Sequence, residues 1–270
     1  MATTIESQLA YLGFHLITPS EALRPYVQSY WYFRRDTPLL AYQEEYMHPR
    51  GGFGLVFNFG DTVRLDGQAV AEPLFLDGTT TISRKMGFLG RVELIGIRFH
   101  EGGAYPILGL PLAELRNEIS LLDALDRPNL LRLYAQLYEA DVLSARVRLL
   151  EAWMLQRLSL GKERNALIPA SLRLLRESAG SLSIPQLAQQ YAISQRQLER
   201  FYQSQVGMSP KQYAQLLRIE AARLALKRMR EHSTADLAAE LGFYDQSHFI
   251  REFRAVVGIT PYAYRKRNYQ

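Results

Sequence analysis

No cysteine occurs among the 270 residues. Disulfides, zinc sites built on thiolates and cysteine nucleophiles are therefore excluded. No apolar run approaches the length of a membrane span, and the longest are broken by Arg, Glu or Gly. The start, MATTIESQLA, lacks a basic segment followed by an apolar one, so no secretory signal is expected. Low-complexity tracts are missing too. The histidines at 15, 48 and 100 stand apart, and no His-x-His pair occurs. A metal site is therefore not expected. Neither a Gly-x-Ser-x-Gly elbow nor a phosphate loop is present. These absences predict a chain without cofactor, metal, membrane contact or enzymatic activity, at work in the cytoplasm.

The charge is unevenly distributed. Residues 1–164 hold 17 Lys/Arg and 19 Asp/Glu, whereas residues 165–270 hold 15 Lys/Arg and 8 Asp/Glu. The second part alone carries the basic excess. A basic module beside a nearly neutral one fits a nucleic-acid reader attached to something else, although a solvated basic surface has the same composition.

The fold class expected is α+β and multidomain. Residues 1–164 read as a β-rich sensor or dimerisation domain with a helical extension, and residues 165–270 as an all-α domain. Tyr26–Arg34 and Leu55–Phe59 are β-favouring runs. Val63–Leu65, Pro73–Leu76, Thr79–Ser83 and Val92–Phe99 are short strand candidates between turn signals at Asp61, Asp66-Gly67, Asp77-Gly78 and Gly87. Such spacing suggests a sandwich or small barrel. The texture then turns helical at Leu112–Ile119, Leu130–Tyr138 and Ala140–Leu158. Leu143, Val147, Leu150, Met154 and Leu158 form a stripe on the last of these, suited to packing on the barrel or to a homodimer through helix 140–158. Ser159–Asn165 reads as the linker.

Residues 181–270 contain one unit twice. Leu187, Ala188, Ala192 and Ile193 recur as Leu237, Ala238, Gly242 and Phe243 at an offset of 50. Ser194, Leu198, Arg200, Tyr202, Gly207, Ser209 and Pro210 recur as Asp245, Phe249, Arg251, Phe253, Gly258, Thr260 and Pro261 at an offset of 51. The matches agree in kind: N-cap, core, break, and proline at the first position of the next helix. Each unit is helix, sharp turn, helix, over about 183–207 and 234–258. In the second unit Gln246, Ser247, His248, Arg251 and Arg254 face away from the apolar side. This is the layout of a helix-turn-helix DNA reader. Between the units, residues 210–229 predict one helix about 30 Å long. That length compares with about 34 Å for one turn of B-DNA, so two reading helices can enter successive major grooves.

The stretch LAAELGFYDQSHFIREFRAVVGITPYAYR (237–265), and more weakly LAQQYAISQRQLERFYQSQVGMSPKQY (187–213), resembles the DNA-binding region of the AraC family of bacterial transcription regulators. The resemblance implies base contacts from Gln195, Arg196, Glu199 and Arg200 in the first unit. In the second it implies Gln246, Ser247, His248 and Arg251. Arginines suit guanine O6 and N7, Gln246 suits adenine, and Glu199 suits cytosine N4 or else is an intrahelical partner for Arg196 or Gln203. Arg254, Arg265, Lys266 and Arg267 suit phosphates. The implied partners are double-stranded DNA, a small-molecule effector and, for an activator, RNA polymerase.

LRPYVQSYW (23–31), HPRGGFGLVFNFGD (48–61) and IGIRFHEGGAYPILGLPLAELRN (95–117) are similar to an uncharacterised N-terminal domain of some AraC-family regulators. By analogy this implies a cupin-like barrel that binds an effector and dimerises. Tyr30, Trp31, His48, Arg50, Asn58, Arg98 and His100 are the candidate effector contacts. Arg98 shares a strand face with Gly96: inside the barrel it would hold an anion, outside it would be an ordinary surface arginine. Two alternatives remain at this point. One is an N-terminal domain that only assembles subunits. The other is a fused cupin-type enzyme, although family members that repair alkylated DNA need the cysteines this chain lacks.

Overall fold

Period-two alternation gives way to helical periodicity near residue 104, and the architecture follows that change. The computed structural model describes residues 9–47, 51–78, 82–115, 126–228 and 233–268. The strands are β1 (Phe14–Ile17), β2 (Val27–Arg34), β3 (Leu39–Met47), β4 (Gly54–Asn58), β5 (Arg64–Leu65), β6 (Gln68–Ala69), β7 (Leu74–Asp77), β8 (Arg84–Gly90) and β9 (Glu93–Phe99). They form two sheets ordered β1-β2-β9-β4-β7 and β3-β8-β5-β6. Every strand pair is antiparallel. Among the described residues no strand pairing joins the sheets, so the β region is two facing sheets.

One core lies between the sheets. Phe33, Val56, Phe75 and Leu94 from the first meet Leu65, Met86 and Phe88 from the second. Phe33 and Phe88 lie 5.6 Å apart. A second core covers the other face of the first sheet, where Leu55, Phe57, Ile95, Ile97 and Phe99 meet helices. The first sheet is thus buried on both faces, which explains the continuous apolar runs in β4 and β9. The covering helices are α1 (Ala104–Leu108), α2 (Arg127–Glu139) and α3 (Leu143–Leu160). Arg146, Leu150 and Met154 on α3 are buried, and Leu143, Val147 and Trp153 pack on the same core. The stripe is spent on this chain's own sheet.

A third core joins α4 (Leu167–Glu177), α5 (Ile184–Gln190), α6 (Gln195–Gln205), α7 (Pro210–Arg228), α8 (Thr234–Glu240), α9 (Gln246–Val257) and α10 (Pro261–Asn268). Its largest buried rings are Tyr202, Tyr213, Phe249 and Phe253. Contacts tie this helical part to the β part. Arg176 bridges Glu101 at 2.9 Å, the Ser83 amide donates to the Val256 carbonyl at 2.7 Å, and the Arg267 guanidinium lies 4.1 Å from the Tyr46 ring centroid. No described helix is long and apolar enough to cross a membrane.

Several local expectations need correction. The segment from Leu112 is a 3-10 turn over Leu112–Leu115 rather than an α-helix, and residues 116–119 lie outside the described residues. Residues 79–81 of the expected strand Thr79–Ser83 also lie outside, and Ile82 and Ser83 are not in a strand. Gly87 sits inside β8 rather than at a turn. The linker begins later than expected, because Ser159 and Leu160 continue α3.

Candidate nucleic-acid interface

Each helix-turn-helix unit begins with a serine cap. Ser183 accepts from the Gln186 amide, and Ser233 accepts from the Ala235 and Asp236 amides. The turn then needs one residue in the left-handed region. Gly242 supplies it at φ 73°, and its counterpart Ala192 adopts φ 52°. The second unit uses the residue that tolerates this conformation, while the first carries a small local strain.

The second helix of each unit is capped as expected. In the first, the Gln197 amide donates to Ser194 Oγ at 3.2 Å, and the Ser194 amide donates to Gln197 Oε1 at 3.1 Å. These reciprocal bonds satisfy two donors at the start of α6. In the second, the His248 amide donates to Asp245 Oδ1 at 2.6 Å. The reciprocal bond is not formed there, where the third helical residue is histidine rather than glutamine. Neither helix carries an acid within its first turn, but the Asp245 carboxylate caps the second, so only the serine-capped α6 keeps an uncompensated positive N-terminus.

The apolar side of α6 buries Leu198 and Tyr202, and the Tyr202 hydroxyl lies 3.0 Å from Ser171 Oγ. Gln195, Arg196, Glu199 and Arg200 lie on the exposed side. Among the described residues Glu199 makes neither an ion pair with Arg196 nor a hydrogen bond with Gln203. The apolar side of α9 buries Phe249, Phe253, Val256 and Val257. Ser247, Arg251 and Arg254 are exposed on the opposite side.

Two of the expected base contacts are held by the protein itself. Gln246 donates its amide to Thr234 Oγ1 at the start of α8. His248 is half-buried, with Nε2 3.0 Å from Glu252 Oε1, and Arg218 approaches the same carboxylate at 3.7 Å. The imidazole also lies edge-on to Phe243 at 5.9 Å. At about 100° per residue, position 248 falls at the margin of the exposed side, next to 252. Glu252 thus links His248, on the same helix, to Arg218 of α7.

The expected phosphate contacts also divide. Arg254 and Lys266 are exposed, and Arg265 is half-buried. Arg267 faces Tyr46 of the β region. The connector α7 has 19 residues, about 28 Å of helix at 1.5 Å per residue. Arg223 of α7 braces the end of the second unit, with Nε 3.3 Å from the Tyr264 hydroxyl.

The candidate effector residues do not converge. Tyr30 is fully buried, and its hydroxyl lies 3.2 Å from Glu151. Trp31 points to the other face of β2, over Gly96. Asn58 closes its own turn, donating to the Asp61 carbonyl and accepting from the Gly60 amide. Arg98 shares the inter-sheet face with Leu94 and Gly96, close to Asp77 and Arg84. Of the two readings of Arg98, the interior one matches this position. Burial raises the Asp77 carboxyl above its usual value, against the opposing pull of the two arginines. His100 is half-buried, and burial lowers its imidazole below the usual value. His48 and Arg50 lie outside the described residues.

Residues 187–267 match the family described as "Helix-turn-helix domain". Over 89 residues the chain is 37% identical to an HTH-type transcriptional regulator of Mycobacterium tuberculosis, covering 33% of this chain and 34% of that protein. Over 75 residues it is 37% identical to the HTH-type transcriptional activator RhaS of Escherichia coli, covering 28% of this chain and 27% of that one. Residues 187–267 form an AraC-type helix-turn-helix domain. Residues 15–120 match a family described as "Domain of unknown function (DUF6597)". The chain spans about a third or less of the length of these curated relatives. A solved regulator of Chromobacterium violaceum with an AraC-type DNA-binding domain is 28% identical, covering 38% of this chain and 93% of that one with a TM-score of 0.36. ToxT of Vibrio cholerae is 10% identical, covering 87% of this chain and 97% of that one with a TM-score of 0.44.

In the AraC-type domain, sequence reasoning missed the internal tethers of Gln246, His248 and Arg267. Only the spacing of His248 and Glu252 at i and i+4 signalled one of them. In the β region it missed Arg34, Arg91, Glu93 and Arg146, which line one cavity. The signal was present: Arg146 stands four residues before Leu150 and eight before Met154, so an arginine occupies a core position.

Proposed function

We propose that this chain is a sequence-specific, DNA-binding transcription regulator whose two helix-turn-helix units read successive major grooves. One observation carries the reading. Two units with matching caps, turns and cores each turn a polar, arginine-bearing helix face to solvent, and one 19-residue helix joins them. Arg196, Arg200 and Arg251 are the base readers, and Ser247 and Glu199 assist them. Arg254 and Lys266 hold phosphates. Such a protein acts where the DNA is, in the bacterial cytoplasm.

The β region is the sensor in this reading, and a small effector bound there biases how the reading helices meet DNA. The rival reading, in which this region only assembles subunits, needs a free apolar face. On α3 only Leu155 and Leu160 are exposed large apolar residues, at 42% and 78%. A homodimer through this helix would rest on them, whereas Leu40 and Tyr42 on β3 and Leu89 on β8, all exposed, offer the assembly reading another apolar surface.

The test separates base contacts from phosphate contacts. Arg251→Ala should cost about 1–3 kcal/mol at one base position and relax preference there. Lys266→Ala should weaken all sequences alike. Binding measured against a set of single-base operator variants distinguishes them, and equal behaviour of the two variants would reject the assignment.

A further inference from the structure

A cavity of about 240 Å³ opens where the ends of β2 and β9 meet the junction of α2 and α3. Its floor is Arg146, only 5% exposed. Arg146 is fixed on three sides. Its Nε donates to the Ala140 carbonyl at 3.0 Å. Its Nη1 reaches Glu93 Oε1 at 2.8 Å and the Tyr32 hydroxyl at 3.2 Å. Its guanidinium lies 4.5 Å from the Phe59 ring centroid. The remaining nitrogen, Nη2, has no hydrogen-bond partner among the described residues.

Two more arginines stand at the rim. Arg34 and Arg91 are both exposed, and Arg91 Nη2 donates to the Phe59 carbonyl at 2.7 Å. Three guanidiniums face two carboxylates, Glu93 and Asp141, across this cavity. The lining residues therefore carry one positive charge in excess, which attracts an anion. Aromatic rings form one wall. Phe59 and Tyr138 line it, their ring centroids 6.2 Å apart. Tyr138 is 58% exposed, so one ring at the mouth remains available for cover.

We propose that this cavity binds a small planar monocarboxylate, its carboxylate on the Arg34–Arg91–Arg146 cluster and its planar body against Tyr138. Each part of the chemistry has a reason. Planar guanidiniums pair with a carboxylate through parallel hydrogen bonds. One excess charge is balanced by one negative charge. The volume lies below the usual range of about 300–1,000 Å³ for drug-sized ligands, which favours a single-ring acid. Phosphate esters, with two charges, would leave one unbalanced. The role of this ligand as the effector rests on the reading of the β region as a sensor; its binding does not.

Benzoate is the probe, and benzamide is its neutral counterpart of the same shape. Titration of the full chain, followed by calorimetry and melting temperature, should show saturable benzoate binding within about 10 mM and a rise in melting temperature. Benzamide should show neither. Arg34→Gln/Arg91→Gln, which leaves the Arg146 network in place, should weaken benzoate by about tenfold or more. Tyr138→Ala should weaken it as well. Absence of saturable benzoate binding, equal binding of benzamide, or equal affinity in the double variant would each overturn the site. Duplex affinity measured with and without benzoate separates the two claims. Binding of benzoate with unchanged duplex affinity keeps the site and rejects the effector role. Loss of the site with duplex binding intact leaves the DNA-reading function standing.

Discussion

Phe253→Ala should lower folding stability by about 3–5 kcal/mol, the range for removing a buried aromatic ring. Phe253 is fully buried on α9. It meets Phe249 at 5.7 Å and Tyr264 at 5.6 Å, so it joins α9 of the second unit to α10. Its loss leaves a cavity where these helices are joined. Arg254→Ala, one residue along and exposed, should change stability by less than about 0.5 kcal/mol. Urea unfolding followed by circular dichroism measures both. A small effect at Phe253 would mean that the second unit is not built around this ring.

Duplex affinity should fall steeply with salt. Each phosphate neutralised by a cation releases counterions, with a slope of about −0.9 per contact on a log–log scale. Arg254 and Lys266 are phosphate contacts in this account, and the exposed arginines of α6 and α9 lie on the same faces. These two phosphate contacts give a slope of about −1.8, and roughly 12-fold weaker binding between about 50 and 200 mM salt. Fluorescence anisotropy of a labelled duplex with the full chain gives the slope. A slope shallower than about −1 would contradict a phosphate-gripping interface.

The helix-turn-helix units were legible because their signals are local. Ser194 and Asp245 cap the helices they precede, Pro210 and Pro261 open the next ones, and Leu198 and Phe249 are core in both copies. A cap or a helical stripe needs only a few neighbouring residues, so the sequence carries it whole. The strands were less legible. β8 contains Gly87, which reads as a turn residue. Gly87 serves a tertiary contact instead: a Cβ there would collide with the Tyr42 side chain of β3. β3 itself pairs only with β8 and carries Glu44 and Glu45, so its polar surface hides its strand character.

The effector candidates failed to converge because they were chosen by residue type. Tyr30 and Trp31 are neighbours on β2 and therefore point to opposite faces of the sheet. The arginine cavity was harder to read, because it joins β2, β9 and α3, which are distant in sequence. What the sequence did contain was Arg146 in a core position, and a buried arginine demands a carboxylate. Glu93 supplies it from β9, a pairing that only the packing of α3 on the sheet reveals. The tether of Arg267 on α10 belongs to the same class. Arg267 meets Tyr46 across more than 200 residues of chain.

The central claim is that two units of one chain read two successive major grooves. A footprint of the full chain on a duplex selected from a random pool tests it most directly, with guanine N7 methylation reporting the major groove. The account predicts two protected patches per chain, about 10 base pairs apart on one face of the duplex. Arg196→Ala and Arg200→Ala should remove protection from one patch, and Arg251→Ala from the other. A single patch, or loss of the same patch in all three variants, would contradict the account.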